Sequence, residues 1–184
     1  MTAASRRVDD DWAAIVYDLD GTLVDLAVDW DEVTTAAIAA FADRGIDAEG
    51  GLWGLLERAN VVDLRGRIEE VICDHEREGA RYSSRLPLAD GLTEESRPVG
   101  VCSLNCEEAC RIALEIHGLD PHVDAVVGRR SVENHKPHPE PLLTTVERLG
   151  ATPETTMFVG DTDRDAITAE RAGTGFVYVR DLIE

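Results

Sequence analysis

The sequence predicts an α/β protein with a parallel central sheet and an all-helical insertion after the first strand. Two observations support this prediction. Short apolar runs alternate with segments of helical periodicity, and one long stretch has helical periodicity without any strand. The first strand is expected at 12–17, Trp-Ala-Ala-Ile-Val-Tyr, which ends abruptly at Asp18. A short, wholly apolar run of this kind is typical of a strand that is buried on both faces of a parallel sheet.

The stretch that follows the first strand breaks the alternation. Apolar residues recur at helical spacing in three successive segments, at 30–41, 52–59 and 64–72. The first segment is expected to end at Gly45 and the third at Gly79, because glycine commonly terminates helices. We therefore interpret residues 27–86 as a small helical cap inserted into an α/β core, which is made of residues 11–26 and 87–184.

The remainder of the chain returns to alternating strands and helices. Further strands are expected at 99–102, 125–127, 156–159 and 176–179, and helices at 105–117, 139–149 and 163–172. Glycines follow the last residues of these helical segments, as expected for helix ends. Asn105 and Glu108 have the spacing of a capping box, so Asn105 is expected to cap the first of these helices.

The composition of the chain restricts which classes of molecule it is expected to bind. Asp and Glu number 37 against 18 Lys and Arg, which gives a net charge of −19. Nucleic acids and anionic membranes both require a basic face, so neither is expected as a partner. Self-repulsion of this size is screened by molar salt. We therefore hypothesise a halophilic protein, and a melting temperature that does not rise between low and molar KCl would contradict this.

The chain shows no sequence sign of export. No apolar run approaches the roughly 18 residues that a membrane span needs, and charged residues follow Arg6 and Arg7 where a signal peptide would be apolar. A cytoplasmic location is expected. For the same reason the four cysteines, Cys73, Cys102, Cys106 and Cys110, are expected to be reduced thiols.

Side chains that can bind a ligand or act in catalysis follow three of the predicted strands. Asp18 and Asp20 come after the first strand, Ser103 after the second, and Asp161 after the strand at 156–159. In an open α/β sheet, ligands bind beyond these carboxyl ends. A carboxylate at Asp18 can act as a nucleophile, and one at Asp20 can exchange a proton with an oxygen.

One cation accompanies these acids. Lys136 is the single lysine of the chain and lies in a proline-rich loop, Asn-His-Lys-Pro-His-Pro, at 134–139. Asp161 and Asp165 add hard oxygen ligands of the kind that Mg²⁺ prefers. Lys136 can offset the repulsion between the carboxylates and an incoming phosphate, so the residues predict a site for a divalent metal and an anion.

Four motifs occur in a fixed order: Asp-Leu-Asp-Gly-Thr-Leu at 18–23, a serine after a strand, Lys-Pro at 136–137, and Gly-Asp-Thr-x-x-Asp at 160–165. In this order and spacing they resemble the haloacid dehalogenase superfamily of phosphohydrolases, and the resemblance covers essentially the whole chain. It implies a Rossmann-like core. An acid at the position of Asp20 disfavours dehalogenation itself, and the helical insertion resembles the small cap of phosphoglycolate-phosphatase-like and β-phosphoglucomutase-like members.

The resemblance also implies roles for single residues. Asp18 would attack phosphorus and form an aspartyl-phosphate, and Asp20 would be the general acid and base. Ser103 would hydrogen-bond the phosphoryl oxygens, Lys136 would bridge Asp18 and the phosphate, and Asn105 is a further candidate substrate ligand.

The metal site implied by the resemblance holds Mg²⁺. Asp18 would contribute a carboxylate oxygen, Asp20 its backbone carbonyl, and Asp161 a direct carboxylate ligand. Asp165 would support the ion directly or through water. The alternative for Asp165 is a charge in the first turn of a helix, which the helix dipole favours.

The expected function is that of a Mg²⁺-dependent phosphatase acting on a small phosphorylated metabolite, a phosphoglycolate- or sugar-phosphate-type monoester. A phosphomutase with the same core residues is one alternative, and a non-catalytic binding protein on this fold is another. A monomer or a homodimer is expected. Five arginines are candidates for binding a second anionic group of the substrate: Arg58, Arg65, Arg67, Arg81 and Arg85.

Overall fold

A five-stranded parallel sheet lies at the centre of the computed structural model, which describes residues 11–183. The strands of the described chain are β1 (Ala14–Tyr17), β2 (Val24–Asp25), β3 (Ser84–Arg85), β4 (Val99–Cys102), β5 (Ala125–Val127), β6 (Thr156–Gly160) and β7 (Gly175–Tyr178). The sheet has the order β5-β4-β1-β6-β7, and each neighbouring pair is parallel. This confirms the predicted α/β class.

The α-helices of residues 11–183 are α1 (Trp30–Ala42), α2 (Leu52–Val61), α3 (Arg65–Arg81), α4 (Glu107–Ile116), α5 (Glu140–Arg148), α6 (Asp163–Ala172) and α7 (Val179–Leu182). Short 3₁₀ helices occupy Pro87–Glu94, Asp120–His122 and Pro153–Thr155. Within this range, no helix combines the length and the hydropathy that a membrane crossing requires.

Strand β1 is the central strand, and its position explains its apolar sequence. Val16 is in register with Gly100 of β4 on one side and with Phe158 of β6 on the other. All four residues of β1 are buried, as expected when helices cover both faces of a parallel sheet. The carboxyl end of β1 therefore delivers Asp18 to the middle of the sheet edge.

Helices α1, α2 and α3 form an insert between β2 and β3, and we use the name helical insert for residues 30–81. Strands β2 and β3 pair antiparallel, with Val24 opposite Arg85, so the chain enters and leaves the insert at adjacent positions. The insert has an apolar cluster of its own, which includes Phe41, Leu55 and Ile68. The three helices lie where the periodicity predicted them, and the division into two domains stays a prediction.

Two predicted helix boundaries are wrong. Helix α4 begins at Glu107, and the side chain of Asn105 does not cap it because that side chain bonds Ser103 and Glu76 instead. Helix α3 runs through Gly79 to Arg81. A Cβ at position 79 would lie 2.4 Å from Val28 Cγ2. Close packing against the chain that enters the insert, rather than helix termination, therefore explains this glycine.

The expectation of four reduced cysteines is also wrong for one pair. Cys73 of α3 and Cys106, at the start of α4, form a disulfide with Cα atoms 5.7 Å apart. They are 33 positions apart in sequence, and the packing of α3 against α4 brings them together. Cys102 and Cys110 are free and buried within the described chain. The disulfide thus links the helical insert covalently to the rest of the molecule.

Candidate active site

A cavity of about 240 Å³ lies beyond the carboxyl ends of the central strands. The sequence predicted a ligand site at this edge of the sheet, because the loops that follow parallel strands converge there. The strand-end loops and α6 contribute Asp18, Asp20, Asn105, Lys136, Asp161 and Asp165 to its wall. The helical insert contributes Trp30, Trp53 and Glu76. Ser103 is buried close by and is not part of the cavity wall.

Lys136 is the central cation of this cavity. Its Nζ donates to Asp18 Oδ1 at 2.9 Å and to Asp165 Oδ1 at 2.5 Å, and the residue is only 3% exposed. Burial disfavours the charged amine, but the two carboxylates outweigh this and raise the pKa of Lys136 above its ordinary value. Lys136 is therefore protonated and joins the loop after β5 to the end of β1 and the start of α6.

The first two aspartates have different surroundings. Burial raises the pKa of Asp18 to about 7; Lys136 lowers it in part, and Asp165 raises it again. Burial also raises the pKa of Asp20 to about 6, against the hydrogen bond from the Leu26 backbone N–H. That bond joins Leu26 N to Asp20 Oδ1 over 2.8 Å and fixes the side chain. A carboxyl with a pKa near 6 suits proton exchange near neutral pH.

Three carboxylates are placed to share one cation. Asp18, Asp161 and Asp165 each offer an oxygen, and these oxygens lie within 4.8 Å of one another. Burial and the charge of Asp165 raise the pKa of Asp161. One ammonium facing three carboxylates leaves negative charge uncompensated, and a hard divalent cation would relieve it. The residues present therefore fit Mg²⁺. The Asp20 carboxylate accepts a hydrogen bond from the Leu26 backbone N–H and is not one of the three clustered carboxylates.

Asp165 lies in the first turn of a helix and within the acid cluster, and its support of a metal ion stays a prediction. It is the third residue of α6, where its Oδ2 accepts a hydrogen bond from Thr162 Oγ1 at 2.7 Å within a capping box. Its other oxygen binds Lys136. Gly160 packs directly against it, since a Cβ there would lie 2.6 Å from Asp165 Cβ. The residue is therefore a helix cap and a member of the acid cluster together.

Glycine at position 21 is required by the acid cluster. Its φ of +81° is in the left-handed region, which favours glycine. A Cβ at this position would lie 2.4 Å from Asp161 Oδ2. Any side chain here would displace Asp161, so the Asp-x-Asp-Gly motif matters for packing as well as for its acids.

Ser103 and Asn105 form a small buried network after β4. Ser103 Oγ donates to Asn105 Oδ1 at 3.0 Å, and the Asn105 backbone N–H donates to Ser103 Oγ at 3.1 Å. Asn105 Nδ2 donates to Glu76 Oε1 at 3.3 Å. Asn105 reaches the cavity from this network, whereas Ser103 holds the loop behind it.

A buried ion network, which the sequence did not predict, adjoins this loop. Arg129, 2% exposed, donates to Glu76 Oε1 at 2.6 Å and to Glu69 Oε2 at 2.8 Å. Although burial opposes its charge, the two glutamates raise the pKa of Arg129. Glu76 also accepts from the Cys106 backbone N–H at 2.9 Å. Two carboxylates of α3 thus share one guanidinium from the loop after β5.

The contacts of an aromatic residue on α2 of the helical insert were also not predicted from the sequence. Trp53 of α2 stacks on His135 with ring centroids 5.7 Å apart. The guanidinium of Arg164 lies 5.5 Å from the centroid of the Trp53 ring. A second cavity of about 250 Å³ shares Trp53, Lys136 and Arg164 with the first. Of the arginines proposed from sequence to bind a second anion, Arg65 lines this second cavity.

The sequence profile of the haloacid dehalogenase-like hydrolases matches residues 64–179, more than half of the chain. The chain belongs to this family. A phosphoglycolate phosphatase of Aquifex aeolicus (strain VF5) is 32% identical over 87% of this chain and 81% of its own length. One from Cereibacter sphaeroides is 30% identical over 88% and 82%. The pyrophosphatase PpaX of Bacillus mycoides (strain KBAB4) is 34% identical over 53% of this chain and 46% of its own.

Solved structures agree with the fold of this haloacid dehalogenase-like chain. A hydrolase from Pseudomonas syringae has a TM-score of 0.67 at 20% identity, covering 90% of this chain and 84% of that one. The CbbY protein of Rhodobacter sphaeroides, solved in complex with phosphate, has a TM-score of 0.66 at 19% identity, covering 91% and 85%. Both support the α/β architecture. With the sequence relatives, the family assignment makes the chain a phosphohydrolase.

Proposed function

We propose that the chain is a Mg²⁺-dependent phosphatase that hydrolyses a small phosphoglycolate- or sugar-phosphate-type monoester through an aspartyl-phosphate on Asp18. The observation that carries the proposal is the contact of Lys136 Nζ with Asp18 Oδ1, 2.9 Å long, at the end of the central strand. Lys136 there offsets part of the negative charge of the cavity, so that a phosphate can approach a carboxylate nucleophile. The two phosphoglycolate phosphatases that align with most of the chain support this substrate class.

In the first step Asp18 attacks phosphorus. A bond forms between a carboxylate oxygen and phosphorus while the bond from phosphorus to the ester oxygen breaks. Asp20, whose pKa burial raises to about 6, donates a proton to the departing oxygen. Lys136 balances negative charge beside the transferred group. Ser103 and Asn105 orient the loop that faces the phosphoryl oxygens.

In the second step the aspartyl-phosphate is hydrolysed. Asp20, now ionised, takes a proton from a water molecule as that water attacks phosphorus. The bond between phosphorus and Asp18 breaks, which returns the carboxylate and releases inorganic phosphate. Asp20 thus acts as acid and then as base, and the cycle needs no further proton carrier.

Asp18, Asp161 and Asp165, with the backbone carbonyl of Asp20, would hold the Mg²⁺. When bound, the ion supplies positive charge that neutralises the phosphoryl oxygens. Asp161 is the most accessible of the three carboxylates, while Asp18 and Asp165 are fixed by Lys136. Two of the proposed metal ligands are therefore held in position by Lys136 before a divalent cation binds.

The experiment that tests this proposal is phosphate release by wild type and by Asp18→Asn. Substrates would be phosphoglycolate, several sugar phosphates and pyrophosphate, with Mg²⁺, at low and molar KCl. Loss of the nucleophile should lower kcat at least about 10³-fold while the fold is retained. Asp163→Asn is the matched control, because Asp163 is exposed and accepts from Tyr178 Oη rather than facing the cavity.

Three results would contradict the proposal. Near-normal turnover by Asp18→Asn would exclude the aspartyl-phosphate. Conversion of one sugar monophosphate into another without net phosphate release, dependent on a bisphosphate activator, would indicate a phosphomutase. Binding of phosphorylated metabolites without turnover of any would indicate a non-catalytic binding protein.

A further inference from the structure

Two cationic side chains of the described chain line the cavity beside Asp18, namely Lys136 and Arg164. The charge of Lys136 is already matched by two carboxylates. Arg164, in contrast, forms no ion pair with any residue in 11–183, although Asp163 and Asp165 are its sequence neighbours. In a chain with a net charge of −19, a guanidinium that faces a cavity without an acidic partner is a candidate for binding an anion from outside.

One aromatic contact restrains the side chain of Arg164, which is otherwise exposed. It lies in the first turn of α6, between the members of the Thr162–Asp165 capping box. Its guanidinium lies 5.5 Å from the ring centroid of Trp53, which belongs to the helical insert. A guanidinium over an indole ring is attracted to the ring face, and its planar fork loses less freedom than a lysine amine for each hydrogen bond that it forms.

Arg164 also lies where the two cavities meet, because it lines both. The other arginine of the second cavity, Arg65, is already engaged. It donates to Asn60 Oδ1 at 3.1 Å and lies 3.8 Å from Glu69. Of the two arginines that line these cavities, Arg164 is therefore the one without an acidic partner in the described structure.

The chemistry of this group favours an oxyanion. A guanidinium forms two parallel hydrogen bonds to one carboxylate or phosphate group, a geometry that a hydroxyl group cannot match. Of these two groups, a carboxylate is the smaller and brings less negative charge into an acidic cavity. A carboxylate entering this acidic cavity would be repelled by Asp18 and Asp161 unless a cation offset their charge. The cavity of about 240 Å³ is smaller than a typical site for a drug-sized ligand, which suits a small metabolite.

We propose that Arg164 binds a carboxylate of the substrate, so that the site prefers small phosphorylated acids to uncharged phosphate esters of the same size. The inference rests on the proposed function and specifies its substrate class. The phosphoryl group would lie beside Asp18 and Lys136, and the carboxylate would lie on Arg164 at the side of the cavity closed by Trp53.

The test compares phosphoglycolate with 2-hydroxyethyl phosphate, which has the same skeleton and an uncharged hydroxymethyl group in place of the carboxylate. Wild type should favour phosphoglycolate. Arg164→Gln should lower kcat/KM for phosphoglycolate by about 10- to 100-fold, mainly through KM, and change that for 2-hydroxyethyl phosphate by less than about threefold. Arg164→Lys, which keeps the charge and loses the fork, should lie between. Arg111→Gln, which removes an exposed arginine of α4 paired with Glu107, should match wild type.

A binding measurement separates failure of this inference from failure of the proposed function. In the Asp18→Asn background, calorimetry should show at least about tenfold weaker binding of phosphoglycolate once Arg164→Gln is added. Equal losses for both esters, no loss for either, or unchanged binding in the double variant would overturn the role of Arg164. Absence of phosphate release together with Arg164-dependent binding would instead overturn the catalytic proposal alone.

Discussion

The helical insert meets the rest of the chain on two sides that are built differently. On the α3 side the contacts are buried: the Cys73–Cys106 disulfide and the pairing of Glu69 and Glu76 with Arg129. On the α2 side the contact is made by Trp53, which is 37% exposed and meets His135 and Arg164 through ring faces. Both sides border the same cavity. They differ in whether their charged groups already have partners within the protein.

The comparison indicates a division of roles. On the α3 side the buried charges of Glu69, Glu76 and Arg129 are paired with one another, and removal of the arginine would leave buried carboxylates unpaired. On the α2 side the guanidinium of Arg164 lies over a ring and has no carboxylate partner among the described residues. Groups that are already paired stabilise the fold, and groups that are not remain available to a ligand. Substitutions on the two sides should therefore affect stability very unequally.

The largest effect is expected from Arg129→Met. This change would leave Glu69 and Glu76 buried without their cation, and loss of one member of such a network lowers the free energy of unfolding by about 3–5 kcal/mol. Urea denaturation at fixed KCl would measure it. Arg130→Met is the matched control, since Arg130 is 37% exposed and pairs with Glu70, a contact worth about 1 kcal/mol or less. Equal losses in the two variants would contradict a buried network.

An intermediate effect is expected from the disulfide. Removing a cross-link that spans 33 residues should lower the free energy of unfolding by about 2–4 kcal/mol, because the unfolded chain gains freedom. Wild type unfolded with and without dithiothreitol provides the measurement. The Cys73→Ala/Cys106→Ala double variant serves as the control and should be insensitive to reductant. Identical unfolding of wild type in both conditions would show that the pair is not oxidised in solution.

The smallest effect on stability is expected from Trp53→Ala. The ring is partly in water already, and a guanidinium contact of this kind is worth about 0.5–1 kcal/mol. The free energy of unfolding should therefore fall by about 1 kcal/mol or less in the same urea assay. Trp30→Ala, at the other exposed tryptophan of the cavity wall, provides a comparison. A loss for Trp53→Ala as large as that of Arg129→Met would remove the distinction between the two sides.

The sequence predicted the sheet and the acid cluster because both depend on local patterns. The strand before Asp18 is apolar at every position, and burial in the centre of a parallel sheet requires that. The position of Asp18, Lys136 and Asp161 at one sheet edge follows from the parallel strands that precede them. The position of Asp165 in the first turn of a helix was also predicted, and α6 has it as the third residue.

The tertiary contacts of charged and aromatic residues could not be predicted from the sequence. Charged residues make up 30% of the chain, and no periodicity distinguishes Arg129 and Glu76 from the many exposed arginines and glutamates. Cys73 and Cys106 show no spacing motif, since the packing of two helices alone brings them together. The side chain of Asn105 does not cap α4, and the sequence could not indicate this because one of its two partners, Glu76, lies 29 positions away.

The burial of Lys136 has a consequence for the chemistry of the outer surface. The chain has a single ε-amino group, and it is 3% exposed behind two carboxylates. Positive charge contributed by side chains at the outer surface is therefore carried almost entirely by guanidinium groups, which resist acylation at neutral pH because they stay protonated. Acetylation, glycation and amine-directed cross-linking would find no accessible lysine on the folded protein, and modification of Lys136 would report that its cavity had opened.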